Sequence, residues 1–167
     1  GVRIRTPEMQ IDSQQAWVQP EAGFGGIEGA GLATLSPANS EVSNPNTIVW
    51  NKRVDLRFGT SGVAEGNLES IRFQGDVDVA TEDGNMRGED LDMRFVQSPD
   101  GSAVPDRLIG AGGIRAESDG QIIWAKDILA TLNSAEIDDT DEMKIELRDI
   151  VATGDVEVRL ADDTRIW

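Results

Sequence analysis

The chain contains no cysteine and no histidine, and only 5% of its 167 residues are aromatic. Without cysteine there are no thiol nucleophiles, disulfides or thiolate metal sites, and both reducing and oxidising compartments remain open. Without histidine the chain lacks the usual acid/base of neutral pH and the commonest metal ligand. Basic residues are also scarce: 15 Lys and Arg face 31 Asp and Glu, a net charge of -16. That balance argues against nucleic acid as a partner, because phosphate-backbone binding needs a basic surface. No run of 18 apolar residues is present, and the first residues lack a basic stretch followed by an apolar one, so no transmembrane helix or signal peptide is expected within these residues. Helical periodicity is nearly absent too.

What the chain has instead is alternation. Apolar residues recur at every second position in Val54, Leu56, Phe58; in Ile71, Phe73, Val77, Val79; in Leu91, Met93, Phe95; in Ile128, Ala130, Leu132; and in Val156, Val158, Leu160. Each set belongs on one face of a strand. Turn signals separate the sets: residues 43–46, 60–62, 82–85, 98–102 and 118–121 are rich in Gly, Pro, Asn, Asp and Ser. The best helical candidate, 138–150, alternates through Met143, Ile145 and Leu147 and reads as a strand after an acidic turn. The fold class expected is all-β, built from short antiparallel strands with one wet face and one covered face.

The alternating segments repeat. "IRFQGDVDV" from Ile71, "LIGAGGIRA" from Leu108 and "IVATGDVEV" from Ile150 each place an apolar residue four positions before a glycine and another two positions after it. The glycines are Gly75, Gly112 and Gly154, each in phase with the inward apolar residues, and each is expected to mark a bulge or tight bend. The spacing implies stacked layers that bury their apolar faces only against one another. The interior would be smooth and aliphatic, suited to acyl chains and equally to a plain core.

These repeats, followed by an acidic-Gly turn and "GEDLDMRF" (88–95), resemble the OstA-like repeat of the LptA and LptC lipopolysaccharide-transport family. The N-terminal segment ending in Gly29-Ala30-Gly31-Leu32 is similar to the way LptC-type domains run. The resemblance implies a folded β-jellyroll, or β-taco, in the periplasm, whose interior holds lipid acyl chains. The residues it implies as lipid-facing are Ile71, Phe73, Val77, Val79, Leu91, Met93, Phe95, Ile114, Ile145, Leu147, Val156 and Val158. It implies lipopolysaccharide or a related lipid as ligand and other OstA-like domains as partners, joined through edge strands near residues 2–11 and 154–160. The same edges are compatible with an edge-to-edge homo-oligomer. Two features depart from the family pattern: a strongly acidic chain meeting an anionic lipid, and the missing N-terminal anchor of an LptC-type protein. Acyl contacts, local arginines such as Arg53, Arg57, Arg72 and Arg94, or divalent cations would answer the first. Truncation would answer the second, and residues 1–167 are expected to be a single domain of a longer protein, with Gly1 resembling a cloning remnant.

Asp76, Asp78, Asp90 and Asp92 alternate out of phase with the apolar residues and belong to a solvated face rather than a catalytic pair. The cluster Asp138, Asp139, Asp141 and Glu142 has the oxygen density of a calcium site but not the glycine and spacing of an EF-hand loop, so a solvated turn is expected. "GFGGIEGAG" (23–31) lacks the flanking strand and helix of a dinucleotide fingerprint and reads as a flexible loop. Trp17, Trp50, Trp124 and Trp167 share no spacing and are expected as core plugs or rim residues. No catalytic residue, metal or cofactor is expected, and the chain reads as a non-enzymatic lipid-binding and bridging module. The rivals are a β-solenoid structural or adhesive domain with a packed interior, and a carbohydrate-active β-helix enzyme with carboxylates on a flat face.

Overall fold

The computed structural model describes residues 1–5, 9–35, 46–60, 67–81, 84–97, 103–136, 143–162 and 164–166, with the side chains of 2–5, 9, 20, 35, 133–136 and 143–147 left aside. Within these residues the chain forms fourteen strands and a single 3₁₀ turn, Pro20–Ala22. In order the strands are β1 (Val2–Arg5), β2 (Met9–Ser13), β3 (Gln15–Gln19), β4 (Phe24–Glu28), β5 (Gly31–Leu35), β6 (Asn46–Trp50) and β7 (Arg53–Phe58). They continue as β8 (Leu68–Ala80), β9 (Gly84–Gln97), β10 (Ala103–Ser118), β11 (Gln121–Glu136), β12 (Met143–Thr153), β13 (Glu157–Arg159) and β14 (Arg165–Ile166). All pairings are antiparallel. The fold is all-β, a repeat-built jellyroll folded about one line. The central strands β8 to β11 are 13 to 16 residues long, because each runs through that line instead of stopping there.

The strand pairs divide the sheet into two wings. One wing runs β3–β4–β7, then the first half of β8, the second half of β9, the first half of β10, the second half of β11, and β12. The other runs β1–β2–β5–β6, then the complementary halves of the same four strands, β13 and β14. Eight passes of the chain thus cross from one wing to the other. Their inner faces meet in one apolar cluster, with Ile27, Val54, Ile71, Phe73 and Leu91 from the first wing and Ile11, Ala33, Ile48, Trp50 and Val77 from the second.

The sequence builds the fold line from left-handed residues. Gly75 (φ 84°) and Asp76 (φ 48°) interrupt β8, Gly112 (83°) and Gly113 (78°) interrupt β10, and Gly154 (73°) and Asp155 (50°) separate β12 from β13. Glycine enters this region freely, and Asp is among the few other residues that tolerate it. At the first bend β8 advances from Gln74 to Val77 while its partner β9 advances only from Asp90 to Gly88, and β10 repeats the offset between Ala111 and Ile114. The sequence expectation of a bulge at these glycines is met. What approaches them differs from that expectation: a Cβ at Gly75, Gly112 or Gly154 would strike the exposed side chain of Lys52, Glu89 or Lys126 on the neighbouring pass, not a group in the interior.

A fourth unit, absent from the sequence reading, completes the pattern. Gly29 (φ 84°) lies under Gln14, whose Oε1 would be 3.0 Å from an added Cβ. The covering residues Gln14, Lys52, Glu89 and Lys126 recur 37 or 38 positions apart. The segment 23–31 is therefore not a flexible loop. It is strand β4, a bend at Gly29-Ala30 and the start of β5. Its glycines make room for indole rings: the Trp17 ring would be 2.8 Å from a Cβ on Gly26, and the Trp50 ring occupies the same place over Gly31.

Candidate functional site: the space between the wings

Register fixes which residues face the interior. On the second wing, the pairs Ile11–Ala33, Ala33–Ile48, Ile48–Val79, Val79–Met86, Met86–Ala116, Ala116–Ile123, Ile123–Val158 and Val158–Ile166 form one unbroken apolar row across nine strands. On the first wing, Ala16, Ile27, Val54, Phe73, Leu91, Gly110, Ile128 and Ala152 form the opposing row. Every position in these two rows is aliphatic, glycine, Met or Phe, so the rows offer a ligand apolar contact.

Of the twelve residues implied as lipid-facing, Ile71, Phe73, Val77, Leu91 and Ile114 lie deep in the interior, each no more than 6% exposed. Val79, Met93, Phe95, Val156 and Val158 are half-buried on the same inner faces. Ile145 and Leu147 belong to β12, and their side chains lie outside the described ones. The acidic cluster at 138–142 and Trp167 also lie outside the described residues, as do the turn signal at 98–102 and parts of three others, residues 43–45, 61–62 and 82–83.

The wings are not held apart in the middle. Ile114 of β10 reaches across the bend onto Gly88 and Gly110, at positions where any Cβ would overlap it. The gap bounded by Val77, Met86, Leu91 and Ile114 is too narrow for a water molecule. Closure is uneven along the fold line. The cluster from β2 to β9 holds ten buried residues including Trp50 and Phe73, whereas the cluster on β10 and β11 holds three, Ile114, Ala125 and Ile128. At the far end, inward residues emerge into solvent: Ile150, in register with buried Ala130, is 40% exposed, and Ile166, in register with Val158, is 54% exposed.

Met86, Ala116, Ile123 and Ala125 are interior residues that the sequence reading did not select. The signal that could have found them is a change of phase. Single-residue bends at Glu89 and Lys126 move the inward set from even to odd numbers or back, whereas the two-residue glycine bends preserve it.

Carboxylates sit on the outer faces in ion pairs. Arg72 meets Asp90 at 2.5 Å, Arg87 meets Asp78 at 2.7 Å, Arg94 meets Asp92 at 3.1 Å, and Arg53 pairs with Asp55. The hydrogen bonds and charges of these carboxylates raise the pKa of Arg53 and Arg72 above the ordinary guanidinium range. Among the described residues no cluster of carboxylates is arranged to hold a metal ion, and no helix is long and apolar enough to cross a membrane. A shallow depression of about 530 Å³ on the outer face of the second wing is lined by Thr47, Val49, Asp78, Ala80, Asn85, Arg87 and Arg115. Both arginines there are engaged, Arg87 by Asp78 and Arg115 by Glu117 at 2.6 Å.

The strand edges fall only in part where expected. Of residues 2–11, β1 (Val2–Arg5) is a terminal strand, whereas β2 is flanked by β1 and β5; of 154–160, β13 is flanked by β11 and β14. Short flanking strands occupy those positions by ordinary hairpin pairing. Among the described residues the terminal strands are β3 and β12 on one wing and β1 and β14 on the other.

Compared with protein-family models, curated proteins and solved structures, the chain matches none.

Proposed function

We propose that this chain is a non-enzymatic lipid-binding and bridging module of lipopolysaccharide transport, working in the periplasm and taking acyl chains between its two wings. The observation that carries the proposal is the unbroken apolar row from Ile11 to Ile166, which leads from the closed core to inward residues open to solvent. A two-winged aliphatic interior with charged outer faces is what an acyl-chain carrier needs, since apolar contact is the main driving force for such a ligand. Among the described residues β12 and β14 end the two wings, with β1 and β3 at the opposite end, and such terminal strands suit strand addition by neighbouring domains or by a second copy. Resemblance of the glycine repeats to the OstA-like unit supplies the particular lipid and pathway.

Site-specific photo-crosslinking to lipopolysaccharide tests this reading, with the probe at half-buried inward Val156 and, as control, at outward Glu157. Crosslinks from Val156 alone are expected. A folded protein that crosslinks from neither position would remove the lipid-transport reading. It would leave the second one, a β-solenoid structural or adhesive domain, which the water-excluding closure at Val77, Leu91 and Ile114 favours.

A further inference from the structure

We infer that the outer face of the first wing carries a phosphate site, in which Arg57 and Arg94 clasp the anion from either side, Ser70 forms its floor and Arg107 stands behind Arg94. The site is on the opposite face of the sheet from the apolar rows and is independent of the lipid-binding reading.

Register assembles it. Arg57 of β7, Ser70 of β8, Arg94 of β9 and Arg107 of β10 are direct cross-strand partners, so their side chains stand in one line on one face. From Phe24 on β4 to Thr131 on β11 this line contains no carboxylate, although the chain has 31 acidic residues against 15 basic ones. The next line toward the bends carries Asp55 and Asp92, and the one after it Glu28, Asp90 and Asp127. Like charges in register are unfavourable until something neutralises them, and here neutralisation is partial. Arg94 reaches Asp92 with Nη2 and Arg107 reaches Asp106 with Nε, both at 3.1 Å. A guanidinium carries five N–H donors, so each keeps others for a second anion. Arg57 makes no ion pair among the described residues, and the exposed carboxylate of Glu69 on β8 pairs with none of the three arginines. Arg159 on the second wing also lacks an ion pair among the described residues, but its neighbours in register are Ile122 and Arg165, which supply no hydroxyl.

The second, independent observation is Ser70 itself. It is 9% exposed, the one buried polar residue among the described residues, and its hydroxyl takes no partner there. Its neighbours in register on either side are Arg57 and Arg94, each about 4.8 Å away across the ladder. A short side chain thus lies in a dip between two long basic ones. An unpartnered hydroxyl with guanidinium groups on both sides suits a tetrahedral oxyanion. One phosphate oxygen accepts from the hydroxyl and the others from the guanidinium forks, whose geometry matches phosphate bidentately.

The test is a titration of the whole chain with inorganic phosphate at low ionic strength, followed by the arginine Nε–Hε and backbone amide resonances. Saturable shifts are expected at Arg57, Arg94 and Ser70 and not at Arg53 or Arg72, which Asp55 and Asp90 hold. Arg57→Gln is expected to weaken binding about two- to fivefold, the range for one exposed ion pair. Ser70→Asp puts a carboxylate in the anion's place and is expected to abolish the shifts while the amide spectrum stays that of the folded chain. Vesicles of phosphatidylcholine with phosphatidic acid, set against phosphatidylcholine alone, distinguish the source. Sedimentation with the first only, lost in Ser70→Asp, assigns the phosphate to a lipid headgroup; phosphate shifts without sedimentation assign it to a soluble phosphate. Absent shifts, equal shifts at every exposed arginine, or binding unchanged in Arg57→Gln or in folded Ser70→Asp would overturn the inference and leave the lipid-binding reading as it stands.

Discussion

Trp50 and Phe73 join the two wings: their ring centroids are 5.5 Å apart at a tilt of 52°, one ring from β6 and the other from the first half of β8. Trp50 is fully buried, and its indole N–H donates to the carbonyl of Gly29 at 2.9 Å, tying the ring to the fold line as well. Tilted aromatic pairs of this kind add to the stabilisation from area burial alone.

Trp50→Ala is therefore expected to destabilise the chain by about 3–5 kcal/mol, the range for large-to-small changes at a filled core position. Gly31→Ala adds a methyl where the Trp50 ring already sits and is expected to cost about 1–3 kcal/mol by overpacking. Urea midpoints at constant slope measure both. A Trp50→Ala loss below about 1 kcal/mol would mean that this pair does not hold the wings together.

The fold line makes a prediction that depends on which half of a bend is changed. Gly112 is overhung by Glu89, whose Cβ would be 2.5 Å from an added Cβ, whereas nothing lies within 4 Å of one at Gly113. The units around it carry Asp76 and Asp155 at the position of Gly113. Gly113→Asp should cost about 1 kcal/mol or less, and Gly112→Asp should cost more, because a left-handed residue and a steric overlap act together. Equal costs in thermal unfolding would deny that the units are equivalent.

Amide exchange should follow the uneven packing. Amides of β6 to β9, over the ten-residue cluster, are expected to exchange only through global unfolding. Those of β12 to β14, over three buried residues, should exchange about tenfold faster or more. Phe73→Ala should lower the protection of both regions, and Ile128→Ala that of the second alone.

The loop before β14 has its own pH dependence. Hydrogen bonds from the Thr164 backbone N–H and side chain hold the Asp162 carboxyl below its ordinary range. A depressed carboxyl favours the folded loop above the unfolded value of about 3.9, and that contribution is lost as pH falls through the lower folded value. A ¹³C titration of the Asp162 carboxyl should place its midpoint below that of a model peptide, and Asp162→Asn should abolish the loop's acid response.

The sequence by itself determined the all-β class, the inward sets on β7, β8 and the second halves of β9 and β11, and the bends at Gly75, Gly112 and Gly154. Period-two alternation is local, and the left-handed region is restricted to glycine and a few polar residues, so both leave a mark in the chain. Only the tertiary structure decided the fourth bend at Gly29, the strands at 24–35 and the interior roles of Met86, Ile123 and Ala125. Glycines at 25, 26 and 31 resemble a loop until Trp17 and Trp50 are seen lying over 26 and 31. A one-residue bend at Glu89 or Lys126 reverses the inward phase with no special residue type to announce it. How closely the wings pack, and at which end the apolar row meets solvent, is set by contacts between strands far apart in sequence. Alternation along any single strand cannot encode that depth, which is why residues of the same pattern, such as Val77 and Val158, end up one sealed in the core and the other at the open end.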